Sequence, residues 1–270
     1  MCLKDNKKRW PPNNSLQLTR LACGKLERAL PARMRENGWA VARAAGQLSS
    51  RPFGSALPHC QLPLRVGTAE AFVTSSEVLQ FKITLRGIRP PIWRRIQVPR
   101  AYTFWDLHVA IQDAMGWDDY HLHEFELRRG KNQRGETIGI PDEEFESGRS
   151  TLPGWEVPLV RHFSAPNQKA TYRYDFGDDW EHEVLLEATL PAEEGVEYPR
   201  CTKGRRACPP EDCGGPYGYP EFLEAIGDPT HPRHEELLEW IGGAFRSEAF
   251  DPGKVVFDDP KERWEIAFSE

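Results

Sequence analysis

The 270-residue sequence has no apolar run near the roughly eighteen residues that a membrane-spanning helix needs. Its N-terminus also lacks the charged, apolar, small-residue order of a signal peptide. A soluble protein that stays in the cytoplasm, with no membrane contact, is the expectation. The Gly-x-Ser-x-Gly elbow of serine hydrolases is missing, and so is a phosphate loop ending in Lys-Ser/Thr. The Cys-x2-Cys knuckle of ordinary zinc ribbons does not occur, nor does any internal repeat or low-complexity tract. These absences remove the commonest enzyme and metal-ribbon readings before any residue is assigned a role.

Charge is scarce on balance but unevenly placed. Residues 1–76 carry twelve Lys and Arg against four Asp and Glu, a net +8, whereas residues 77–270 carry 23 basic against 37 acidic side chains, a net −14. An acidic body without a basic stripe repels nucleic-acid phosphates, so nucleic-acid binding by that part is disfavoured. The first 76 residues show no sustained hydrophobic period and read as a basic, disordered leader. The string Pro11 to Arg20 is similar to translated recombination-site repeats that flank mobile gene cassettes, which would place the true start further downstream.

Regular structure is expected from Val78. Leu79, Phe81, Ile83 and Leu85 alternate with polar residues as in a half-buried strand, and Ile92, Arg94, Ile96 and Val98 repeat the alternation after a turn over Gly87–Pro91. Thr103 is placed to cap a helix that carries Leu107, Ala110, Ile111, Ala114 and Met115 at helical spacing and stops at Gly116. A third strand is predicted over His121–Arg128, two more over Thr171–Phe176 and His182–Leu190, and a Gly/Pro-rich connection over residues 130–168. Two helices are predicted at Pro220–Ile226, with Pro220 at its first position, and at Pro232–Ile241. This order predicts an α+β fold over residues 77–270. A small mixed sheet would be covered by one long helix, as a split ββαβ roll, with a C-terminal helical pair.

Four strings are dense in chemically useful residues: Pro90 to Arg95, His121 to Phe125, Tyr172 to His182, and Cys201 to Tyr219. In this order they resemble the plasmid pRiA4b ORF-3-like family, over about residues 78–244. That family occurs on bacterial and archaeal plasmids, chromosomes and mobile elements, so the resemblance implies a fold and a genomic context, not a reaction.

Read by themselves, the strings offer candidate sites. His121 and His123 are two apart on an expected strand, the spacing at which two imidazoles share one metal, or else two exposed histidines at a strand end. Asp178 and His182 lie in a turn rich in carboxylates, suited to a cation or to acid–base work; Asp and Gly are also ordinary turn formers. Cys201, Cys208 and Cys213 are spaced Cys-x6-Cys-x4-Cys, three thiols that a fourth ligand such as His182, His231 or His234 would complete as a zinc site, if they are not free structural thiols or a redox group. Convergence of these three strings on one edge of the sheet is expected. The functional expectation is a non-enzymatic binding module for a protein or small-molecule ligand, with a metal-dependent enzyme using the His/Asp cluster as the alternative.

Overall fold

The computed structural model describes residues 77–127, 135–141 and 151–268. The leader over residues 1–76 and the acidic Asp142–Glu144 stretch lie outside them.

Two strands open the described chain, β1 over Glu77–Leu85 and β2 over Ile92–Pro99, paired antiparallel with Leu85 opposite Ile92. Their alternating residues bury Leu79, Phe81, Ile83, Ile92, Ile96 and Val98 on one face. Helix α1, Phe104–Met115, follows. Thr103 and Asp106 exchange side chain and backbone hydrogen bonds in a capping box, and left-handed Gly116 closes the other end. Ten of its twelve residues are buried, because neighbours pack on the helix from several sides.

Six more strands complete the sheet: β3 at His123–Leu127, β4 at Glu136–Gly139, β5 at Thr151–Pro153, β6 at Lys169–Tyr174, β7 at Trp180–Pro191 and β8 at Arg200–Arg205. Helices α2 (Gly215–Gly227), α3 (His234–Trp240) and α4 (Pro260–Phe268) end the chain. The strand order is β5-β4-β3-β6-β7-β1-β2-β8, antiparallel throughout except for β4 with β5.

The architecture is mixed α+β, but the sheet has eight strands and is not small. The chain order β-β-α-β is present; the compact roll is not its spatial arrangement. Later strands β6 and β7 enter between β1 and β3, so β2 and β3, joined through α1, run parallel with three strands between them. Helix α2 is as long as α1, so no single long helix dominates. The expected connection over residues 130–168 contains β4, β5 and two short 3-10 turns. Pro220 lies inside α2, and Pro216 takes the tolerated early position. Among the described residues no helix is long and apolar enough to cross a membrane.

Candidate functional site

Three connections meet at the end of the sheet where β6 finishes and β3 and β7 begin. The first runs from α1 to β3 (residues 116–122), the second is the β6–β7 turn (175–179), and the third is the loop from β8 to α2 (206–214). Asp175 donates its backbone N–H to Leu122 O (3.0 Å), and Trp117 Nε1 donates to Pro209 O (2.8 Å). Glu211 accepts from the Asp118 backbone at 2.8 Å with one oxygen and from the Tyr174 hydroxyl with the other. Asp178 accepts from Gly214 N at 3.0 Å, and Gly215 packs so closely on Asp178 O that only a glycine fits.

At this junction His121 Nε2 lies 3.0 Å from Asp212 Oδ1 and 3.6 Å from Asp175 Oδ2. The Asp212 contact is a bent, charge-assisted pairing, and the Asp175 oxygen lies beyond hydrogen-bond reach. Asp175 is left-handed (φ 55°) and uses Oδ1 to accept from Gly177 N (2.9 Å), which leaves Oδ2 for the His121 side. Asp212 is also left-handed (φ 58°) and half-exposed. Among the described residues, the one group of three His, Cys, Asp or Glu donor atoms mutually within 4.8 Å is His121, Asp175 and Asp212. Burial alone would lower the His121 pKa, but Asp212, Asp175 and Glu211 outweigh it and raise it. Asp212 is lowered chiefly by His121, whereas burial raises Glu211. Exposed rings flank the group in sequence: Tyr120 beside His121, Phe176 beside Asp175, and Tyr217 just past the third loop.

The three strings do converge on one end of the sheet, yet the candidate residues separate there. His121 precedes β3 and joins the carboxylates. His123, the first residue of β3, is buried and stacks on His108 with ring centroids 3.5 Å apart. His182 is fully buried against Tyr172 and Trp117. Asp178 serves the turn-to-loop tie rather than the His121 group. Cys201, Cys208 and Cys213 are free. Cys201 lies on β8; the other two are buried in the loop after it, and the three do not form a close donor group. Burial pushes the Cys208 thiol up to about 12 against the pull of Arg94, which makes it a poor nucleophile at neutral pH.

The matching family model, described as plasmid pRiA4b ORF-3-like protein, spans residues 77–254. The chain belongs to this family. The uncharacterized protein y4hQ of Sinorhizobium fredii (strain NBRC 101917 / NGR234) is 39% identical over 193 residues, covering 70% of this chain and 95% of that protein. The crystal structure of MM3350, a protein of unknown function from Methanosarcina mazei Go1, matches with a TM-score of 0.60 and 45% identity, over 67% of this chain and 99% of the other.

Sequence reasoning counted Asp175 only among the carboxylates of the turn before His182, and passed over Asp212. Asp175 carried a local signal, an Asp-x-Gly turn; Asp212 lies 91 positions from His121 and carried none. The Asp residues on these loops also have a backbone reason to be there. Asp tolerates the left-handed conformation found at Asp119, Asp175, Asp179 and Asp212.

Proposed function

We propose that this pRiA4b ORF-3-like protein is a binding module whose ligand surface is the loop end of the sheet, and that a divalent transition-metal ion held by His121, Asp175 and Asp212 forms part of that surface. The observation that carries the reading is the convergence of one imidazole nitrogen and two carboxylate oxygens, all within 4.8 Å of one another and delivered by three separate loops. Ligands bound at about 2.1 Å from a shared ion stand about 3.0 Å apart at right angles and about 3.4 Å apart in a tetrahedron, and the separations of 3.0 and 3.6 Å from His121 lie close to these values. One imidazole with two carboxylates suits zinc or manganese better than calcium or magnesium. The exposed rings of Tyr120, Phe176 and Tyr217 would supply contact area beside the ion for a protein or small-molecule partner. A cytoplasmic setting is part of this proposal, supported by the free thiols Cys201, Cys208 and Cys213.

Metal-dependent catalysis is the second reading. It is favoured by the half-exposed Asp212, since three protein ligands with an open side is the arrangement of catalytic rather than structural zinc. Calorimetric titration of metal-free protein with Zn2+ tests the site. One ion per chain is expected, with affinity falling at least about tenfold in Asp175→Asn, which keeps the turn geometry, and in His121→Gln. Unchanged binding in both variants would sink the proposal.

A further inference from the structure

Helix α4 lies beyond the family match, yet it reaches the segment that delivers His121. Its Arg263 side chain is 18% exposed and faces three carboxylates: Asp258 at 2.7 Å, Asp119 at 3.0 Å and Asp113 of α1 at 3.5 Å. Asp119 divides its oxygens. Oδ2 meets Arg263, and Oδ1 lies 2.9 Å from His108 Nε2; His108 Nδ1 in turn is 2.8 Å from the Tyr172 hydroxyl. Two residues after Asp119 comes His121.

The 116–122 connection has no regular structure of its own, so side-chain and backbone ties set its path. Those at Trp117, Asp118 and Leu122 run to the other two loops of the site. The tie at Asp119 runs to α4. Without Arg263, the carboxylates of Asp113, Asp119 and Asp258 would face one another around a missing cation, and the part-buried Asp119 would keep only His108. Helix α4 is itself lightly attached: none of its residues is fully buried, and it docks through Pro260 O, which accepts from Trp105 Nε1 (2.8 Å), and through Trp264 and Phe268 against Trp155 and Trp105. An element with so few buried contacts opens more readily than the sheet beneath it.

We propose that Arg263 is a positioning residue for the His121–Asp175–Asp212 site, and that α4 is a clasp whose docking holds the 116–122 connection and thereby sets the affinity of that site. This inference rests on the cation-site reading, and its test separates the two. Amide hydrogen exchange of the full, metal-free chain is compared for the wild type, Arg263→Gln, Arg263→Lys and Trp264→Ala, alongside Zn2+ titration of each. Trp264→Ala loosens α4 without leaving a carboxylate unpaired. The expected result is at least about tenfold faster exchange over residues 118–122 in Arg263→Gln and Trp264→Ala, unchanged protection in β1 and β7, a matching loss of Zn2+ affinity, and partial recovery in Arg263→Lys. Unchanged exchange over 118–122 in both loosening variants overturns the clasp whether or not zinc binds. Faster exchange with no zinc bound by the wild type overturns the cation site and leaves the tie between α4 and this segment standing.

Discussion

His182 is fully buried, and neither ring nitrogen makes a well-aligned hydrogen bond. Burial lowers its pKa from 6.5 to about 3; the charges of Arg86 and Arg94 act the same way, against the backbone of Tyr172 and Trp180. Below about pH 6.5 the unfolded chain takes up a proton that the folded one refuses, so this group's contribution to stability falls as pH drops from about 6.5 toward 3. Leucine offers similar volume without polar atoms. We expect His182→Leu to lie within about 1 kcal/mol of the wild type at pH 7 and to gain about 2 kcal/mol on it at pH 5. Denaturant unfolding at both pH values measures this; an equal difference at the two would show that protons reach the imidazole in the folded protein.

Two left-handed glycines separate local from tertiary demands at the scale of elements. Gly116 (φ 84°) closes α1 with nothing within 4 Å of a would-be Cβ. Gly116→Ala should therefore cost only the backbone penalty, about 1 kcal/mol. At Gly215 (φ 68°) a Cβ would stand 2.2 Å from the carbonyl oxygen of Asp178, backbone that cannot swing away. Gly215→Ala should cost about 3 kcal/mol or more and loosen α2 from the β6–β7 turn. Equal melting-temperature losses for the two variants would contradict this account. Gly116 was legible because a helical period ends at it. The glycine pair before Tyr217 showed only that some close approach or turn was needed, not which backbone approaches.

Across the whole molecule, α1 and α4 share a part-buried acid whose pH response opposes that of His182. Burial raises Asp113 to about 6, the Asp258 and Asp119 charges add to this, and the Asp258 N–H and Arg263 oppose it. Between about pH 4 and 6 the folded chain holds a proton that the unfolded chain has released, so this contribution to stability declines as pH rises through that window and is flat above it. Asp113→Asn keeps an acceptor for the Asp258 N–H and should be more stable than the wild type by about 1–3 kcal/mol at pH 8, with the advantage gone at pH 4. Thermal unfolding across that range checks it; a constant difference would remove Asp113 as the cause. Strands β1 and β2 and helix α1 were readable from the chain alone, because alternation, helical spacing and the Thr103 cap depend on neighbours within four residues. Strand β8, with only intermediate and exposed positions, and helix α4, with no buried residue, carried no such period. Strand order and the site were decided by tertiary structure. His121 and His123 are two apart, which shares a face only inside a strand; pairing with β6 starts β3 at His123, so His121 leaves the pleat for an Asp212 brought to it from 91 residues away. Local pattern prescribes which residues can be buried, and only the packed sheet determines which of them meet.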